Sequence, residues 1–133
     1  MTERLADYTT LKVGGPANIV HARSEAEIIK AIIDAQDKEV LILGGGSNLL
    51  AADDPFSGVV IKIENKGNSY EIDACSGGLL TVAAGEDWDE FVQFTIDKGL
   101  ANLESMSGIP GTVGAAPIQN IGAYGHEVGE VIA

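Results

Sequence analysis

Two rhythms of apolar residues divide this chain of 133 residues. Ala17-Asn18-Ile19-Val20-His21-Ala22 reads as a short strand, and Ser24-Glu25-Ala26-Glu27 as a capping box with Ser24 at the N-cap and Glu27 at N3. A helix is predicted to follow, its Ile28, Ile29, Ile32 and Ile33 forming one stripe at helical period and its end near Gln36 or Asp37. Val40-Leu41-Ile42-Leu43 is a continuous apolar run, predicting a strand covered on both faces. A glycine cluster at 44–46, a turn-rich stretch at 53–58 and a strand from Val59 to Ile63 complete a small α/β lobe.

Beyond residue 65 the pattern changes. Residues 70–74 and 79–84 read as strands joined by a turn at Ser76-Gly77-Gly78. Asp87 caps a second helix, with Glu90 three residues on, Trp88, Phe91, Val92 and Phe94 as its apolar side, and Gly99 as its C-terminal stop. From Ser105 to Gly125 the chain runs for 21 residues without a charged side chain and with five glycines, so it fits neither an ordinary helix nor an ordinary strand. Val131-Ile132-Ala133 looks like the beginning of a strand.

Composition narrows the class. Apolar residues make up 45% of the chain and charged ones 21%, enough for a hydrophobic core and too apolar for a disordered acidic tail. The length suits one domain or two small lobes. Eight basic and twenty acidic residues leave a formal charge of −12. That balance argues against sequence-independent nucleic-acid binding and against docking to an anionic membrane, both of which need clustered Lys and Arg. Met1-Thr2-Glu3-Arg4 and the mixed polar sequence after it lead to the expectation of no signal peptide, and no run of 18 or so apolar residues occurs in the sequence. One cysteine, Cys75, fits a reducing cytoplasm and reads as a small structural residue. His21 and His126 stand apart from any Cys or His at metal-ligand spacing, so no metal is assigned. Of Asp87, Asp89 and Glu90, two read as first-turn capping and the third as the solvated face of the helix.

Two segments can carry chemistry. A glycine cluster directly after a buried strand lets backbone N–H groups approach a phosphate. Gly44 and Gly46 match the start of a G-x-G-x-x-G fingerprint, and Glu64 lies 20 residues on, where a ribose-binding acid is expected. The context fails, because Leu49 takes the place of the third glycine and Asp53-Asp54-Pro55 interrupts the helix that should follow. A Walker loop fails for want of Lys-Ser or Lys-Thr after the glycines. On this segment alone, a phosphate loop and a plain glycine-rich connection both stay open. In the second segment Thr112, Gln119, Asn120 and Tyr124 are neutral hydrogen-bonding groups, suited to the edge of a heteroaromatic ligand whose face lies on glycine backbone. A glycine-rich packing loop is the competing reading there.

Four motifs taken together are more specific. Thr9-Thr10-Leu11-Lys12-Val13-Gly14-Gly15-Pro16-Ala17, Leu41-Ile42-Leu43-Gly44-Gly45-Gly46-Ser47-Asn48, Val82-Ala83-Ala84-Gly85-Glu86 and Pro117-Ile118-Gln119-Asn120-Ile121-Gly122-Ala123-Tyr124-Gly125 resemble, in that order, the UDP-N-acetylenolpyruvoylglucosamine reductase family. The resemblance implies an α+β, FAD-binding fold of the vanillyl-alcohol oxidase / p-cresol methylhydroxylase type. Its two small α/β lobes would be residues 1–65 and 66–133, the second lobe incomplete and the substrate-binding domain absent. Carried over residue by residue, Gly44, Gly45, Gly46, Ser47 and Asn48 would wrap the FAD diphosphate. Ile109, Pro110, Gly111, Gly114, Ala115, Gln119, Asn120, Gly122, Ala123 and Tyr124 would line the rest of the flavin site. Members often carry Glu where this chain has Gly45.

In such a family NADPH is the co-substrate, a UDP-sugar enolpyruvyl ether the substrate, and the product serves peptidoglycan synthesis in the cytoplasm. The resemblance also implies an Arg, a Glu and a Ser that handle charge and proton, all downstream of these motifs; no Arg follows Arg23 and no Ser follows Ser107. No catalytic residue is therefore assigned. The chain is expected to be inactive alone, to bind FAD weakly or not at all, and to self-associate through open strand edges. Another flavin oxidoreductase of the same fold, or a non-catalytic binding module, are the alternatives. The acid excess lies late in the chain: residues 1–50 hold five basic and seven acidic groups, residues 51–133 three and thirteen.

Overall fold

The computed structural model describes residues 2–73, 75 and 77–133. Two compact units form, residues 1–65 and 66–133.

In the first unit, β1 (Thr2–Arg4), β2 (Pro16–Ala22), β3 (Val40–Leu43) and β4 (Val59–Ile63) form one sheet in the order β1-β2-β4-β3. β1 runs antiparallel to β2, while β2 and β3 both pair parallel with β4. Helix α1 (Glu25–Ala35) makes the crossover from β2 to β3. Ser24 caps the helix as predicted, its hydroxyl accepting from the Glu27 amide at 3.2 Å, while the Glu27 carboxylate reaches one residue past the N-cap and accepts from the Arg23 amide at 2.6 Å.

The face that α1 turns to the sheet differs from the isoleucine stripe. Ala31 and Ala35 are buried, with Ile28 partly covered, against Ala22, Val59 and Ile61. Ile29, Ile32 and Ile33 are 58%, 49% and 67% exposed. Residues 28, 31 and 35 also recur at helical period, and their two alanines let the helix approach closely, leaving the bulkier stripe at its flank. β3 differs in the same way. It lies at the sheet edge, and while Leu43 is buried, Val40 and Ile42 on the α1 side are exposed. The opposite face packs Leu5, Ala17, Ile19, Leu43 and Val60 with Tyr8, Leu49 and Phe56.

In the second unit, β5 (Asn68–Asp73) and β6 (Gly77–Val82) form an antiparallel hairpin. Gly77 and Gly78 belong to the strand rather than the turn, paired with Asp73 and Ile72. Ala74 and Ser76, the predicted strand end and turn start, lie outside the described residues. Helix α2 (Trp88–Asp97) is capped as expected, the Asp87 carboxylate accepting from the Glu90 amide at 3.0 Å. Its inner side is Trp88, Val92 and Thr95; the Thr95 hydroxyl is satisfied by donating to the Val92 carbonyl at 2.7 Å. Gly99 follows with φ +71°, as its stop position requires. The core joins Trp88 and Val92 to Leu103, Met106, Ala116, Ile121 and Val128. A short hairpin of β7 (Gly122–Ala123) and β8 (His126–Glu127) ends in a 3-10 turn at Val128–Glu130, and residues 131–133 are irregular rather than strand.

Candidate cofactor site

The glycine loop leaves the carboxyl end of β3, the end of a parallel strand where α/β folds place their ligands. Gly45 and Asn48 are exposed, Gly44 and Ser47 half-buried, and Gly46 buried. Gly46 has φ +67°, and a Cβ there would stand 1.9 Å from the Tyr8 carbonyl oxygen. The Thr10 amide donates to the Gly46 carbonyl at 3.1 Å. This glycine is thus demanded by the chain behind the loop. Gly45 is on the open side.

Glu64, the Rossmann-like acid, is occupied otherwise. It faces His21 Nδ1 at 3.0 Å, Arg23 Nε at 3.4 Å and Lys62 Nζ at 3.5 Å. Burial pushes its carboxyl up, but the His21 hydrogen bond and the neighbouring positive charges outweigh that and hold it below the ordinary range.

The second set of predicted residues lies along one uncharged ribbon. Asp89, read from sequence only as helix surface or cap, anchors its start by accepting from the Ser107 hydroxyl and the Gly108 amide, both at 2.7 Å. Those bonds hold the Asp89 carboxyl below its usual value. The partners are 18 and 19 residues away, so no local spacing signals them. The Trp88 indole donates to the Met106 carbonyl at 2.9 Å, its backbone amide to Gly111 at 3.0 Å, and Gly114 donates to Ala84 at 2.9 Å.

Along the ribbon, Ile109, Gly111, Gly114, Ala115 and Ala123 are half-buried, whereas Pro110, Gln119, Asn120, Gly122 and Tyr124 are exposed. A Cβ on Gly114 would stand 2.5 Å from the Ala84 Cβ, and one on Gly122 2.5 Å from the His126 carbonyl oxygen. Packing of the ribbon against neighbouring backbone of its own unit therefore explains both glycines. The Asn120 amide is likewise used internally, donating to Glu127 at 2.6 Å and accepting from the Gly129 amide at 2.8 Å. Tyr124 and Gly125, both at positive φ, make the two-residue turn between β7 and β8 and leave the tyrosine 92% exposed.

The side chains of the two predicted sets are themselves neutral, and neither residues 44–52 nor residues 105–125 contain an acid. A diphosphate meets no repelling carboxylate on the first segment, and a flavin ring meets both donors and acceptors on the second, so both sets fit FAD chemically.

The FAD-binding domain family model matches residues 16–133. The chain belongs to that family. FAD is the cofactor of this family. Similar curated proteins are the UDP-N-acetylenolpyruvoylglucosamine reductases of Cutibacterium acnes, 49% identical over 97% of this chain and 35% of the relative, and of Saccharopolyspora erythraea, 47% identical over 96% and 36%. A solved UDP-N-acetylenolpyruvylglucosamine reductase from Thermus caldophilus superposes with a TM-score of 0.73 at 33% identity, covering 96% of this chain and 45% of that one. The resemblance read from the four motifs and the α+β FAD-binding fold it implied are both borne out. The chain spans about a third of the length of the curated relatives it matches. Among the described residues no helix is long and apolar enough to cross a membrane, and no group of three or more His, Cys, Asp or Glu is placed to hold a metal ion.

Proposed function

We propose that this chain is the FAD-binding part of a UDP-N-acetylenolpyruvoylglucosamine reductase working in the cytoplasm. When bound, FAD would supply the hydride relay from NADPH to the enolpyruvyl group of the UDP-sugar. The observation that carries this reading is that a chain of the FAD-binding domain family stays 42–49% identical, over 96–97% of its length, to curated proteins of that one name.

Gly44, Gly45, Gly46, Ser47 and Asn48 would hold the diphosphate through backbone N–H groups and two neutral side chains. Ile109, Pro110, Gly111, Gly114 and Ala115 would supply a low, uncharged surface for the flavin. Gln119, on an exposed stretch, and Tyr124, projecting from its turn, would meet the polar edge of the ligand. Asn120, Gly122 and Ala123 would act by shaping the hairpin that carries Tyr124. Proton delivery and charge stabilisation are assigned to no residue of this chain.

Fluorescence titration of FAD with the whole protein that carries this chain tests the cofactor half of the reading, the chain by itself being expected to bind weakly or not at all. Saturable quenching is expected, weakened several-fold by Asn48→Ala or Tyr124→Ala at unchanged thermal midpoint. Unquenched FAD at millimolar protein overturns it. NADPH oxidation dependent on the UDP-enolpyruvyl sugar, measured on the whole protein that carries this chain, tests the reaction.

A further inference from the structure

The flavin reading leaves unused a cluster of ionisable groups drawn from several segments of the first unit. Glu3 comes from β1, Tyr8 from the 3-10 turn Leu5–Tyr8, His21 from β2 and Lys62 from β4, with Glu64 and Arg23 just beyond β4 and β2. The Tyr8 hydroxyl donates to the Glu3 carboxylate and stands 3.4 Å from His21 Nε2. The Tyr8 and His21 rings meet edge to face at 5.5 Å, and Lys62 Nζ lies 5.8 Å above the Tyr8 ring. His21 is held between two acids, Glu64 at 3.0 Å and Glu3 at 3.4 Å.

The other end of the same residue meets the glycine loop. The Tyr8 carbonyl oxygen fills the space that a side chain at Gly46 would need. Thr9 is buried and closes a turn, its hydroxyl donating to the Val13 carbonyl at 2.9 Å and accepting from the Val13 amide at 3.3 Å. Thr10 then donates to Gly46. A run of three glycines is conformationally soft, and a soft loop loses entropy when it closes on an anion. Residues 8–10 supply a backing that removes part of that cost in advance.

We propose that Tyr8 is a positioning residue for the glycine loop: its hydroxyl, fixed by Glu3 and His21, holds the backbone of residues 8–10 against Gly46 in the shape that receives a diphosphate. The functional half of this proposal rests on the flavin reading; the mechanical half does not.

Tyr8→Phe keeps the ring on His21 and beneath Lys62 and removes only the hydroxyl. Glu3→Gln keeps an acceptor for that hydroxyl, and Glu3→Ala removes it. The readouts are amide hydrogen exchange at Thr10 relative to the β2 and β4 amides, and FAD fluorescence titration. Tyr8→Phe and Glu3→Ala are expected to speed Thr10 exchange selectively and weaken FAD about five- to tenfold, with Glu3→Gln restoring both. Unchanged Thr10 exchange in Tyr8→Phe overturns the proposal, as does a loss of affinity that only follows the thermal midpoint or that Glu3→Gln fails to restore. The FAD titrations are made on the whole protein that carries this chain; if that protein, unmodified, leaves FAD fluorescence untouched, the flavin reading falls, while selective Thr10 exchange still supports the positioning role and its absence still overturns it.

Discussion

The two glycine-rich segments look alike in composition and are built in different ways. The 44–48 loop is backed from behind: Gly46 has the Tyr8 backbone against it, and Tyr8 in turn is tied to ionisable groups on β1, β2 and β4. The 105–125 ribbon is laced to its own unit from within, by Asp89 at its start, Trp88 and Ala84 along its middle and Asn120 at its hairpin. One segment depends on a neighbour far off in sequence that sits on an ionic cluster, the other on an apolar core. Glycine in both therefore reports close approach of backbone first, and ligand contact only where the open side is left over.

A methyl group added to each segment probes that contrast most strongly. Gly46→Ala places Cβ against the Tyr8 carbonyl at a left-handed backbone, and should cost roughly 3 kcal/mol in urea unfolding of the first unit. Gly114→Ala meets the Ala84 Cβ and Cα but has no left-handed backbone to hold, and should cost about 1–2 kcal/mol, confined to the second unit. Equal losses in both, followed by unit-resolved hydrogen exchange, would erase the distinction.

Acid acts on both regions through depressed carboxyls. Asp89 is lowered from 3.8 by Ser107 and the Gly108 amide, and Glu3 from 4.5 by the Tyr8 hydroxyl and His21. A group whose folded value is depressed contributes fully above its unfolded value, and loses that contribution as pH falls through the folded one. Stability should thus decline below about pH 4.5 in the first unit and below about pH 3.8 in the second. The alkaline limb belongs to the first unit. Tyr8 is pushed up from 10 to about 12 by Glu3, so its hydroxyl contribution holds below pH 10 and fades as pH rises through 12. Near-ultraviolet titration should show a tyrosine step near pH 12 that is absent in Tyr8→Phe. The smallest effect concerns α1: Ile33→Ser should change stability by within about 0.5 kcal/mol, because the side chain is largely exposed.

What could be read from the sequence was whatever a few neighbouring residues decide. Ser24 with Glu27 and Asp87 with Glu90 cap their helices through bonds three residues long, and β3 and β4 keep their predicted bounds because apolar runs and flanking turns delimit them. Burial was less legible. Ile29, Ile32 and Ile33 form as regular a stripe as Ile28, Ala31 and Ala35, and only the sheet's need for close approach selects between them. Val40 and Ile42 match a two-faced strand in composition, yet edge position is a property of the whole sheet. The motifs marked the glycine segments correctly as special. They carried no trace of Tyr8 or Asp89, whose partners are reached only through the folded chain.

The uncovered isoleucines have a colloidal consequence. Ile29, Ile32 and Ile33 with Val40 and Ile42 leave a greasy face on the first unit, of the kind that draws copies together when nothing keeps them apart. Twelve net negative charges oppose that at neutral pH, by mutual repulsion that salt screens. That protection vanishes near the isoelectric point of about 4.3. The acidity that argued against nucleic-acid and membrane partners thus also acts as a solvent coat, set against the pull of an apolar surface.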